Sequence, residues 1–224
     1  MILRQRPFSR KPPDKDAKSI FIFCEGKKRE YQYFRYFREM DSRVNIEVYE
    51  LSPDENNSPL GLLNIAKSCI IKSDENPEPR YDFLEGDEVW LVIDIDLDKT
   101  GSRIEQIEEV KSFCDEQKGW HLVQSNPCFE VWLYYHFFHE KPSFTDEDKC
   151  SGWKTLLDSS VNGGFNSNKH PILIESAIHT SRRIHAQAEG LIEGTTEVYL
   201  LGESIFGIME RKINSAITKM ERNN

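Results

Sequence analysis

Glu88-Val89-Trp90-Leu91-Val92-Ile93-Asp94-Ile95-Asp96-Leu97-Asp98 joins the most apolar strand-like run of the chain to three acids at alternate positions. A short, unbroken apolar run rich in β-branched residues reads as a strand buried on both faces, and so as the centre of a sheet. Residues 19–24 (SIFIFC) read as a second buried strand, ended by Glu25-Gly26. Residues 44–51 alternate apolar and polar as a half-buried or edge strand does, and residues 120–124 form a further short strand.

The stretches between these strands have helical periodicity. Residues 29–40 space Tyr33, Phe34 and Phe37 three or four apart, residues 60–72 and 102–117 are amphipathic, and residues 128–138 read as an aromatic helix with Pro127 in its first turn. Strands alternating with crossover helices predict an α/β fold, a mainly parallel sheet flanked by helices. Residues 53–59 and 74–86 read as loops. After His139 the chain turns polar over residues 140–168, and residues 172–191 and 198–220 read as helices. The expected organisation is a basic, flexible leader over residues 1–17, an α/β core over 18–139, and a polar loop with a C-terminal helical extension packing on that core over 140–224.

A chain of 224 residues with 38% hydrophobic content can bury a core of its own. No apolar run is long enough to cross a bilayer and no secretory block follows Met1, which predicts a soluble cytoplasmic protein. The five cysteines, Cys24, Cys69, Cys114, Cys128 and Cys150, are scattered and form no CxxC pair, so they read as core fillers. The formal charge of −9 excludes a protein that coats nucleic acid with bulk positive charge. That total is uneven: residues 1–38 carry eleven Lys/Arg against four Asp/Glu, a local +7, which leaves −16 for the rest.

Open α/β sheets build sites at the carboxyl ends of their strands. Three acidic features fall there: Glu25, the Asp94, Asp96 and Asp98 run, and Glu130 in Ser125-Asn126-Pro127-Cys128-Phe129-Glu130. Residues two apart in an extended chain point to one side, so the Asp run gathers carboxylates that repel one another unless a cation intervenes. Oxygen donors without neighbouring His or Cys favour a hard ion, Mg2+ or Mn2+. Asp94, Asp96, Asp98 and Glu105 also match the ligand spacing of an EF-hand, but Lys99 stands where that loop needs glycine and a strand precedes it. Lys27, Lys28, Arg29 and Lys99 are the candidate phosphate partners beside these acids. His136 and His139 read as packed or surface histidines, and no GxGxxG, P-loop or serine-nucleophile motif is present.

Phe21-Ile22-Phe23-Cys24-Glu25-Gly26, Trp90-Leu91-Val92-Ile93-Asp94-Ile95-Asp96 and the block from Ser125 to Phe137 together resemble the RloB-like family, which looks like a branch of the Toprim superfamily. The resemblance implies a Toprim-like sheet with Glu25 as the acid of the first motif, Asp94 and Asp96 as the metal-binding pair, and Glu130 as an additional acid. It also implies an effector in bacterial phage defence, with an ATPase partner. In place of the acidic flank common in the family, Lys27-Lys28-Arg29-Glu30 follows the glycine here.

The expected function is a Mg2+-dependent (or Mn2+-dependent) endonuclease hydrolysing DNA or RNA. Glu25 would act as general base or ligand, Asp94 and Asp96 as principal ligands, and Asp98 and Glu130 as ligands of a second ion. The alternative is a non-catalytic Toprim-like scaffold subunit of an ATPase-containing defence complex; nucleotidyl transfer of primase type would use the same acids. An oligomer is compatible with either reading.

Overall fold

The computed structural model describes residues 8–95, 102–188 and 190–222. Five strands form one sheet in the order β2-β1-β3-β4-β5. They are β1 (Lys18–Cys24), β2 (Val44–Val48), β3 (Glu88–Asp94), β4 (Trp120–Asn126) and β5 (Thr195–Thr196). The first four run parallel, and β5 pairs antiparallel with the end of β4. The sheet is thus α/β and mainly parallel as expected, β3 is its central strand, and the strand order is compatible with a Toprim-like sheet.

Alternation along the strands sorts side chains between two cores. Ile20, Ile22, Cys24, Trp90 and Val92 face one side, and Phe21, Phe23, Val89, Leu91 and Ile93 face the other. On the second side lie α2 (Pro59–Ile70) and α3 (Arg103–Glu116). Ser58 caps α2 by accepting from the Gly61 N–H at 3.2 Å, and Pro59 takes its first position.

The first side is covered by α1 (Arg29–Arg35), α4 (Glu130–Tyr134), α5 (Cys150–Ser160), α6 (Ile174–Gln187) and α7 (Val198–Arg222). Residues 140–222 therefore contribute to the same core as the sheet. Cys24, Cys69, Cys114 and Cys128 are buried free thiols. Among the described residues no helix is long and apolar enough to cross a membrane.

Three local expectations differ. Residues 29–40 and 128–138 give only short helices, α1 and α4, each continued by turns bonded three residues back, such as Phe37 N–H to Phe34 O and His136 N–H to Leu133 O. In both segments aromatic side chains are buried on several sides, at Tyr33, Phe34, Tyr36 and Phe37 and again at Phe129, Trp132 and Tyr135. One regular helical face cannot bury such a set, and the tighter turns swing the remaining rings inward. Residues 140–168 contain a helix, α5, whose signal is only Trp153 and Leu157 four apart in a polar background. The segment 8–17 lies against the turns after α1: Lys11 N–H bonds Glu39 O and Asp14 N–H bonds Ser42 O, both at 2.8 Å. Residues 1–7 lie outside the described residues.

His136 sits at the centre of the aromatic layer, its ring nitrogens 3.0 Å from Trp132 O and from Tyr33 Oη. The carbonyl can only accept, so Nδ1 carries the proton and Nε2 accepts from the Tyr33 hydroxyl. Burial pushes the His136 pKa down to about 3. The folded protein therefore resists a proton that the unfolded chain takes up near pH 6.5, and stability from this group is lost as pH falls from there. Chemical denaturation is expected to show Tyr33→Phe destabilised by about 1–3 kcal/mol at pH 7, because Nε2 is left buried without a donor. His136→Gln should flatten the acid limb between pH 6.5 and 4; an unchanged slope would remove His136 as its source.

Candidate functional site at the carboxyl ends of the strands

The chain leaves β1 for β2 through α1 on one face and leaves β3 for β4 through α3 on the other. The carboxyl ends of β1 and β3 are adjacent, with Cys24 paired to Val92, so the crevice of this doubly wound sheet opens between them. Glu25 follows β1 and Asp94 closes β3. The Glu25 N–H bonds Val92 O at 3.0 Å, and its Oε2 accepts from the Asp94 N–H at 3.2 Å. Both acids are fixed by the ladder that pairs their strands.

Two further acids face the crevice from the helices. Glu30, on α1, brings its carboxylate over Gly26, where a Cβ would stand 1.9–2.1 Å from it, so any side chain at 26 would displace that carboxylate. Glu130 opens α4 and is buried. Three cations answer them. Arg103, the buried first residue of α3, binds Glu25 Oε2 at 2.5 Å and Ile95 O at 3.0 Å, and also donates to Asp94 O. Arg29 binds Glu130 at 3.1 Å and reaches Asp158 at 3.6 Å. Lys154, on α5, has its ammonium pKa raised first by Glu130, with Asp94 adding to it.

The family model of RloB-like proteins matches residues 20–205, a span that holds every residue of this crevice. The chain belongs to the RloB-like family. No curated protein and no solved structure matches it.

In this RloB-like protein the acids remain in excess where they matter. Burial first, then the charges of Glu30, Glu25 and Glu130, holds the Asp94 carboxyl well above the usual carboxylate range. Burial, with Glu130 and Glu25 adding to it, pushes Glu30 up to about 7. Four carboxylates thus share the crevice with three cations, and burial favours the protonated forms of Asp94 and Glu30. Among the described residues, no group of three or more His, Cys, Asp or Glu forms an arrangement that could hold a metal ion.

Of the residues expected from sequence, Glu25, Asp94 and Glu130 come together, and Asp96, Asp98 and Lys99 lie outside the described residues. Arg29 is engaged by Glu130. Lys27 donates to Ser52 O and Pro53 O at 3.0 and 2.8 Å, and Lys28 is exposed before α1. Glu30, Arg103 and Lys154 were not anticipated. Glu30 carries a local signal, standing one helical turn beyond Gly26; Lys154 carries none, since only the packing of α5 brings it to the acids.

Because Glu30 titrates higher in the folded protein than its ordinary value of 4.5, its contribution to stability is present below that value and is lost as pH rises through about 7. In metal-free buffer Glu30→Gln should raise Tm by a few degrees at pH 8 and bring no gain at pH 4, measured by scanning calorimetry. Arg103→Met, which leaves Glu25 buried beside unpaired carbonyls, is expected to cost about 3 kcal/mol in urea unfolding.

Proposed function

We propose that this protein hydrolyses phosphodiester bonds of DNA or RNA with Mg2+ or Mn2+ bound at the carboxyl ends of β1, β3 and β4. The observation that carries this reading is the convergence of Glu25, Glu30, Asp94 and Glu130 at one edge of the sheet, where burial first and acidic neighbours second raise the Asp94 and Glu30 carboxyls. An oxygen-only donor set with excess charge fits a hard divalent cation in both chemistry and sign. Asp94 would hold it with Asp96 and Asp98, whose place is given by sequence alone, and Glu30 and Glu130 would add negative charge beside it. The bound cation would polarise a phosphate and lower the pKa of a water.

The chain's own groups divide the remaining work. Arg103 fixes Glu25 and the two carbonyls after β3, so the acids keep their spacing when substrate enters. Lys154 and Lys28 can meet phosphate oxygens as point charges, and Arg29 can exchange Glu130 for a phosphate in bidentate contact. On this reading the activity would sit in the bacterial cytoplasm, in phage defence, with an ATPase partner, as the resemblance carried by the sequence blocks implies.

The buried Arg103–Glu25 ion pair favours a second reading, a scaffold subunit without catalysis, because Glu25 already has its counter-charge. The two readings separate on metal. In the first, saturating Mg2+ or Mn2+ raises Tm by about 5 °C through linkage, and plasmid, single-stranded DNA or tRNA is cut. Asp94→Ala should then lower cleavage by about two orders of magnitude or more and abolish the Tm rise. No calorimetric metal binding, and no cleavage with the ATPase partner present, would leave the scaffold.

A further inference from the structure

A second charged feature lies at the other end of the sheet. α7 starts beside the carboxyl end of β4, where Thr196 Oγ1 meets Ser125 Oγ at 2.8 Å. It then passes the amino end of β3, where the Ser204 hydroxyl donates to Glu88 at 2.6 Å. At Ile208 its carbonyl accepts from Arg43, the residue before β2. The described turns of α7 beyond Ile208 therefore lie toward the amino ends of the strands, away from the acids of the crevice.

There a cavity of about 170 Å3 opens between the leader and the last turns of α7. Lys11, Lys212 and Lys219 line it with Ser9 and Ser215, and buried Met40 and Ala216 contribute apolar surface. Residues 212, 215, 216 and 219 recur at helical spacing, so one face of α7 supplies most of one wall. Lys11 is positioned by its backbone bond to Glu39 O.

Among the described residues no carboxylate lines this cavity. The acidic side chains of the adjoining turn are engaged: Glu39 pairs with Arg10 at 3.3 Å and Asp41 with Arg43 at 2.9 Å, Lys212 adding a smaller pull on Asp41. Among the described residues, none of the three lysines has an ion-pair partner within 4 Å. Three ammonium groups without a described ion-pair partner, and two hydroxyls, around one concavity concentrate positive potential on a body that is otherwise acidic.

We propose that this cavity is an anchoring site for the phosphate backbone of a nucleic-acid strand, separate from the acidic crevice. The inference rests on the reading of the protein as acting on nucleic acid. Backbone anchoring is favoured over an anionic lipid surface because the lysines surround a concavity and none of the exposed large hydrophobics (Ile71, Leu84, Ile104, Ile192, Leu200) lines it. Helical rise from Val198 to Ser215 puts the anchor roughly 25 Å along α7 from the strand ends. A duplex spanning that distance needs on the order of eight base pairs, so the anchor selects long substrates.

The test is fluorescence anisotropy of the full chain with a labelled 30-nucleotide single strand in EDTA, across a salt series. Lys11→Gln/Lys212→Gln/Lys219→Gln, with unchanged Tm, is expected to weaken binding at least tenfold. It should also reduce the slope of log K against log salt by about 2, the value for three phosphate contacts to a single strand. Hydrolysis of a small phosphodiester such as bis-p-nitrophenyl phosphate should be unaffected. Unchanged affinity and slope, failure of the wild type to bind, or a loss seen only with phosphatidylserine vesicles overturns the anchor. Binding is read without cleavage: lysine-dependent binding with no hydrolysis leaves the anchor standing and removes the nuclease, whereas hydrolysis of long substrates indifferent to the lysines does the reverse.

Discussion

Four carboxylates brought to the ends of buried parallel strands cannot all ionise unless cations are brought with them. That electrostatic constraint organises the crevice of this RloB-like protein. Arg103 meets part of it from within, binding Glu25 and the carbonyls that follow β3. Arg29 and Lys154 meet another part from the helices. Burial first, and the neighbouring acids after it, make the Asp94 and Glu30 carboxyls hold their protons more tightly than solvated acids do.

The aromatic layer on the same side of the sheet decides whether those charges meet at all. Glu30 and Arg29 ride on α1, Glu130 on α4 and Lys154 on α5, and these helices are bound together by Tyr33, Phe129, Trp132 and Trp153. Tyr33 makes edge contacts with Phe129, Trp132 and His136 at 5.4–6.2 Å. A neutral His136, bonded at both nitrogens, closes this layer without a buried charge. Packing and electrostatics are thus one construction, because the rings that stabilise the fold also set the distances between the acids.

Much of this was legible in the chain. The strands at 18–24, 88–94 and 120–126 followed from apolar runs, and the placing of Glu25 and Asp94 together followed from the rule that parallel sheets present their carboxyl ends on one edge. Cysteines read as core fillers are buried free thiols at four of five positions. The aromatic segments misled in detail, since spacing in sequence reports which residues are apolar and not that a single face must bury them all. Helix α5 was missed because its buried face is only Trp153 and Leu157.

By itself the sequence determined the α/β class, the central strand and the acids at its end, because each depends on local periodicity and on one topological rule. It also showed the split between a basic leader and an acidic body. Only the tertiary structure decided which charges face which. Arg103 came to Glu25 across 78 positions, Arg29 to Glu130 across 101, and Lys11 came to share a cavity with Lys212 and Lys219. Such partners carry no mutual signal along the chain, since Coulomb interactions act through space and the distances are set by how helices pack on the sheet.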